Sequence, residues 1–417
     1  MRYCAPIIHP CCKAFLLVSH MNKSASVRLL SVASAILLTL FISGCGGGGS
    51  TGSSVPNTPP PIADNPVAAA QIRSASLITT INASAIRAVL PAALSGTVVP
   101  LYDVDAWKLT YTTLDAAGHI TTASGLVAVP RKGANASSPV LSYQHATAKT
   151  DAEAPSNHAT ADEPAILFAS LGFVVNATDY VGYGASKGQP HPYLLAAPTA
   201  SAVIDLNNVS TTWRSSRNIA DNGQLFLTGY SEGAYASIAT LRRMTQNRNG
   251  ALPVATFVGA GPYSVTRTLS DLTDAARARN VLLGALISPG LLKHLGANDR
   301  AKVRNLLLET ALGDNTDVVW DGRFLDNYLA DDNNAIEAES NVHNWTPQSP
   351  IIFFHGRDDT TVSYANTDLA IAAMQARGAG AQLERIDCPA RPSSHLGCVA
   401  PFLLSDIARL RTLARNL

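Results

Sequence analysis

Apolar residues first gather in one block, Leu29 to Ile42. A Gly-, Ser- and Pro-rich stretch, Gly46 to Pro66, follows it and carries too little apolar surface to fold. Val67 to Leu94 then shows helical spacing, through Ala68-Ala-Ala-Gln-Ile-Arg73 and again from Ile81 to Leu90. Beyond it the period shortens. Trp107 to Thr113 and Thr121 to Val129 flank Asp115-Ala-Ala-Gly118, which predicts an antiparallel hairpin. Ser138–Gln144, Phe173–Asp179, Gln224–Thr228, Thr256–Ala260, Pro350–Phe354 and Ala381–Ile386 are short apolar runs, most of them rich in Val, Ile and Phe. Such runs mark strands buried on both faces. Helical patterns separate them at Glu163–Leu171, Leu194–Trp213, Ser231–Thr245, Tyr364–Arg377 and Val399–Arg415. The alternation predicts an α/β fold, a mostly parallel sheet with helices on both faces. Between Tyr263 and Pro347 the alternation stops and the pattern is helical throughout. Its Val281 to Leu292 stretch holds two apolar segments hinged at Ser288-Pro289-Gly290. The expected organisation is a body of residues 67–262 and 348–417 with an inserted helical cap, 263–347.

Composition narrows the partners. Of 417 residues, 47% are apolar and 15% charged, with a net charge of +1 and no block of Lys or Arg. A sizeable core is possible and nucleic acid is not an expected partner. No metal-site spacing appears among the six cysteines, so neither a metal nor a cofactor is expected. Asp331-Asp-Asn-Asn334 is acidic but lacks a calcium-loop spacing and reads as a solvated turn.

Residues 21–45 have the layout of an export signal. Lys23 and Arg28 precede the apolar block, which is short for a membrane span and ends at Ile42-Ser43-Gly44-Cys45. This ending resembles a bacterial lipobox, which implies lipidation of Cys45, anchoring to a membrane and a place at the cell envelope. No aspartate follows Cys45, which favours the outer membrane. Residues 46–66 then form a tether. Residues 1–20 precede a second methionine and resemble no signal, so Met21 is the expected start and 1–20 a spurious extension.

The chemistry centres on Gly229-Tyr230-Ser231-Glu232-Gly233, a G-x-S-x-G pattern. A short apolar run, Leu225 to Leu227, precedes it, opened by the turn signal Asp221-Asn222-Gly223. A helical pattern from Ala234 to Met244 follows. Strand, sharp turn and helix are the setting of a nucleophilic serine. The glycines leave room where a Cβ would clash, and the helix start aims N–H groups and a positive dipole end at the serine. A serine hydroxyl needs a histidine to take its proton and a carboxylate to orient that histidine. Asp359 closes the strand Pro350–Phe354 through a polar loop and is the expected acid, with Asp358 its rival. His395, in Ser393-Ser-His-Leu-Gly397 before the last helix, is the expected base. His355 reads as packing under the acid loop and His343 lies at the end of the cap. Two N–H donors should face the oxyanion. One is the backbone of Glu232; the other comes from the loop His145-Ala146-Thr147.

Tyr143-Gln-His-Ala-Thr147, Pro155-Ser-Asn157, Gly172 to Ser186 with its Asp179-Tyr-Val-Gly-Tyr-Gly184, His191-Pro-Tyr-Leu194 and the serine pentapeptide occur in the order found in secretory lipases and esterases. From Trp107 onward the chain resembles that family of α/β-hydrolases, and its layout is similar to the fungal lipase A type with a large helical cap. The resemblance implies a carboxylic-ester hydrolase with Ser231, Asp359 and His395 as triad and a small-molecule or lipid ester as substrate. Family members often carry His-Gly where this chain has His145-Ala146, so the second oxyanion donor is read as Thr147 first and Ala146 second. The cap's apolar faces would line an acyl pocket, meet a lipid surface or pack on the body. Cys388 and Cys398 flank His395, and in an exported protein they are expected to bridge, at roughly 2–3 kcal/mol of stabilisation. Two other classes remain: a serine peptidase on the same fold, and a non-catalytic surface-binding lipoprotein.

Overall fold

The computed structural model describes residues 70–247, 251–279, 289–312 and 316–417. The apolar runs become one nine-stranded sheet: β1 (Ile72–Ile81), β2 (Val104–Leu114), β3 (Ile120–Pro130), β4 (Ser138–Gln144), β5 (Val174–Thr178), β6 (Asp221–Tyr230), β7 (Ala255–Gly259), β8 (Ile351–His355) and β9 (Leu383–Asp387). Their order across the sheet is β1-β2-β3-β5-β4-β6-β7-β8-β9. Pairing is antiparallel from β1 through β3 to β5 and parallel from β5 to β9. The strands β5, β7 and β8 are buried at every position, which is why their sequences read as unbroken apolar runs.

The two faces are covered by different helices. Val175, Ala177, Leu141 and Phe226 meet Ile166 and Phe168 of the helix Pro164–Ser170 and Ile407 and Leu410 of the helix Val399–Leu413. On the other face, Val174, Val127 and Leu109 meet Leu206, Val209 and Trp213 of the helix Ala196–Ser216. Neighbours Val174 and Val175 thus point to opposite cores, as the period of two requires.

Two local expectations change. Residues 72–81 form a strand, not the helix that their spacing suggested. Ile78-Thr79-Thr80-Ile81 is a β-branched run, stiff at χ1 and suited to an extended chain. It pairs along β2 with irregularities between Ile72 and Ser74 and between Leu77 and Thr79, so neither period survives in the sequence. The helix begins only at Ala83–Val89. Asp221-Asn222-Gly223 is an irregularity inside β6: Ser138 pairs with Asp221 but Val140 with Leu225. Gly223 takes the positive φ, 77°, that the detour needs.

The described chain divides into two compact units. One contains Thr273–Thr316 and Leu329–Asp331, with the helix Ala297–Leu312 and an ion pair between Lys293 and Asp331 at 2.9 Å. The other contains the sheet and its covering helices. Among the described residues, Tyr263 to Pro347 holds helices and no strand, apart from a single bridge between Trp320 and His191.

The connections fix where a site can form. From β4 the chain crosses to β5 on one side, then returns to β6 on the other. Between β4 and β6 the winding reverses, and such a switch point leaves a crevice beyond the carboxyl ends of the strands.

Candidate active site

Ser231 stands at the carboxyl end of β6, at that switch point. Its φ is +58°, a left-handed conformation that a serine adopts at a cost. The neighbourhood compels it. A Cβ on Gly229 would come within 2.2 Å of the Gly233 carbonyl oxygen, and one on Gly233 within 2.0 Å of the Gln144 carbonyl oxygen. The turn closes on itself and beds against the end of β4, and only glycines fit at both places. The Ser231 N–H donates to the Gly259 carbonyl at 2.8 Å, tying the bend to β7. The helix Glu232–Asn247 starts immediately after it.

Two later loops deliver polar groups to Ser231. His395 Nε2 lies 3.0 Å from Ser231 Oγ, and His395 Nδ1 lies 2.6 Å from Asp359 Oδ2. His395 and Asp359 are both buried. The other carboxylate oxygen of Asp359 accepts from the N–H groups of Thr361 and Val362, each at 2.9 Å. Burial pushes this carboxyl up, but hydrogen bonds from His355 and His395, and their charge, outweigh it and hold it down to about 2. The acid therefore stays ionised and presents a fixed acceptor to the imidazole.

The rival residues have other partners. Asp358 Oδ2 accepts from both the N–H and the hydroxyl of Ser393, at 2.8 and 2.9 Å, so it ties the acid loop to the histidine loop. His355 Nε2 sits 2.9 Å from the Val362 carbonyl and 3.3 Å from Asp359 Oδ2, while Nδ1 meets Thr367 Oγ1 at 2.8 Å. It lies under the acid loop. Burial lowers the pKa of His343, which follows the helix Asn333–Glu339. Asp332 caps that helix by accepting from the Ala335 N–H, which accounts for half of the acidic pair. No cluster of metal-ligating side chains occurs among the described residues.

The expected oxyanion donors lie at a helix start and in the loop after β4. The Glu232 N–H heads a helix and has no intrahelical acceptor. The loop from Gln144 to Thr147 begins over Gly233, where the Gln144 and His145 carbonyls lie. In that loop His145 Nδ1 donates to the Ala146 carbonyl at 2.7 Å, and the ring packs on Tyr180 at 4.4 Å between centroids. A trans peptide is planar, so anchoring the Ala146 carbonyl fixes the opposite-facing N–H of Thr147 as well.

Of the two supports of the His395 loop, sequence reasoning expected the disulfide and missed Tyr230. The Tyr230 hydroxyl donates to the His395 carbonyl at 2.7 Å, and its ring packs beside the imidazole. The disulfide Cys388–Cys398 closes the loop that carries His395, with its Cα atoms 6.0 Å apart. Tyr230 was visible only as the variable residue of G-x-S-x-G, a position that carries no chemical signal by itself. Cys45, the signal 21–45 and the tether 46–66 lie outside the described residues. Among the described residues no helix is long and apolar enough to cross a membrane.

Residues 158–385 match the model of a family described as serine aminopeptidase, S33. Among solved structures, the chain is similar to LipA, a rice cell wall degrading esterase from Xanthomonas oryzae, with 24% identity over 82% of this chain and 98% of that one and a TM-score of 0.65. It is also similar to lipase A from Candida antarctica in its closed state, with 15% identity over 79% of this chain and 78% of that one and a TM-score of 0.51. No curated protein matches it.

Proposed function

The chain belongs to the serine aminopeptidase S33 family of α/β-hydrolases, and from that premise we propose that it hydrolyses carboxylic esters through an acyl-enzyme on Ser231. The observation that carries the proposal is the unbroken line from Ser231 Oγ to His395 Nε2 and from His395 Nδ1 to Asp359, at 3.0 and 2.6 Å. His395 takes the serine proton as Oγ attacks the ester carbonyl, then delivers it to the leaving alkoxide. Water, activated by the same imidazole, releases the acid. Asp359, already ionised, holds the Nδ1–H tautomer and balances the imidazolium. The oxyanion is received by the N–H of Glu232 and that of Thr147, or of Ala146 in its place.

The ester reading draws on the likeness to LipA, which is a rice cell wall degrading esterase, and to lipase A. A second reading, hydrolysis of an amino-terminal peptide bond, is favoured by the description of the family itself. Both use the same three residues. They separate on substrate: p-nitrophenyl butyrate for the esterase, an aminoacyl p-nitroanilide for the peptidase.

The deciding experiment uses a fluorophosphonate probe and the two chromogenic substrates. Wild type is expected to be labelled on Ser231 and to turn over the ester faster than the anilide. Ser231→Ala should lose both labelling and ester turnover while keeping its melting temperature. An unlabelled wild type would end the hydrolase mechanism, and faster anilide turnover would replace the ester reading with the peptidase one.

A further inference from the structure

The residue after the serine is a glutamate, and its side chain is buried, 3% exposed. A free carboxylate there opposes the reaction in two ways. It repels the oxyanion that forms beside its own backbone N–H. It also competes for the positive end of the helix Glu232–Asn247, which that oxyanion needs. The structure holds an answer in His191. Its Nε2 lies 2.8 Å from Glu232 Oε1, and the imidazole is 1% exposed. Its Nδ1 lies 2.9 Å from the Val181 carbonyl, which only accepts, so Nδ1 carries a hydrogen. The Nε2···Oε1 contact then holds one further proton, on the nitrogen or on the oxygen. Wherever that proton rests, imidazole and carboxyl together carry no net charge.

His191 is held in place from several sides. Its N–H donates to the Val319 carbonyl at 2.7 Å, and its carbonyl accepts from the Asp321 N–H at 2.8 Å. Gly182, at φ +104°, lets the backbone of His191 approach; a Cβ there would lie 2.9 Å from His191 Cα. Tyr183 and Trp320 meet the imidazole edge-on at 5.0 and 5.4 Å, and Tyr180 stacks on it at 5.8 Å. Burial raises the pKa values of Tyr180, Tyr183 and Tyr193 and lowers that of His145, so these neighbours add no charge near neutral pH. Among the described residues no other side chain bonds the Glu232 carboxyl, whose Oε2 is buried without a partner.

We infer that His191 is a positioning residue for the reaction: it neutralises the Glu232 side chain, so that the Glu232 N–H and the helix start act on the oxyanion alone. The inference rests on the triad reading and deepens it. It explains how a hydrolase tolerates an acid next to its nucleophile. It also gives a role to His191-Pro-Tyr-Leu194, a segment outside the triad.

The test is steady-state hydrolysis of p-nitrophenyl butyrate by His191→Gln, Glu232→Gln and the double variant, each with its melting temperature. His191→Gln leaves the carboxyl without its counter-charge. Its kcat should fall about tenfold or more, with KM changed by less than about twofold, because the repulsion is felt in the transition state. Adding Glu232→Gln to that background should restore most of the lost kcat. Unchanged kcat in His191→Gln overturns the inference. So does a fall that Glu232→Gln does not reverse, since a purely packing role predicts no rescue. If His191→Gln fails to fold, the double variant decides: a folded, active double variant supports the pairing, and an unfolded one overturns it. A wild type that neither turns over the ester nor takes the fluorophosphonate overturns the triad reading and this inference together. An active, labelled wild type beside an unimpaired His191→Gln overturns the inference alone.

Discussion

Asp359 is pulled two ways, and the outcome bears on turnover. Burial favours the neutral acid, yet the donors gathered around both oxygens keep it charged down to about pH 2. In the proposed mechanism, the imidazole that gains and loses a proton in each cycle therefore faces a partner that does neither. Asp359→Asn should lower kcat by about 10⁴-fold with the fold intact, since an amide there favours the wrong histidine tautomer. Asp358→Asn weakens only the tie to Ser393 and should cost far less. Both variants are read in the same p-nitrophenyl butyrate assay. If Asp358→Asn proved the more damaging, the roles of the two aspartates would have to be exchanged.

At the scale of elements, the site depends on how closely two loops approach. Gly356 follows β8, and a Cβ built on it would lie 2.0 Å from the Ser393 carbonyl oxygen. Gly356→Ala must therefore push the acid loop and the histidine loop apart, close to the Asp358–Ser393 tie. Turnover should drop by at least about tenfold with KM nearly unchanged, because a small misplacement of the base is costly. Full activity in Gly356→Ala, measured with the butyrate ester, would show that the loops accommodate the methyl and that their spacing does not matter. The same elements show what a sequence can and cannot reveal. Ser231 was legible because a strand, a turn and a helix each leave their own local pattern around it. Asp359 and His395 were legible because each ends or follows a strand in a fixed chain order. The edge strand Ile72–Ile81 was not, because its bulges erase the period of two and three of its five apolar residues, Ile72, Leu77 and Ile78, are exposed. The contact between His191 and Glu232 was not legible either. Forty-one residues separate them, and only the packing of the 181–182 and 319–321 segments around the imidazole brings it to the glutamate.

Across the whole molecule, buried carboxyls set how stability should depend on pH. Asp406, on the last helix, accepts from the Thr228 hydroxyl at 2.6 Å across the face of β6, while its Oδ1 is buried without a partner. Glu163 caps the helix Pro164–Ser170 by accepting from the Ala165 N–H. Burial dominates at both and pushes each up to about 8. In the unfolded chain such groups lose their protons near pH 4. Between about pH 4 and 8 the folded chain therefore holds protons that the unfolded chain has released, and stability falls as pH rises through that window, then levels. Asp359 acts in the opposite sense: its contribution is present above about pH 4 and is lost as pH falls toward 2. Together they place greatest stability in mildly acidic solution. Asp406→Asn tests this, because an amide mimics the protonated acid and keeps an acceptor for Thr228. Its melting temperature should exceed that of wild type at pH 8.5, and the gap should shrink toward pH 4.5. A gap of equal size at both pH values would mean that Asp406 carries no extra proton in the folded chain, and the loss of stability with rising pH would then have to originate at the other raised carboxyls, Glu163 and Asp205.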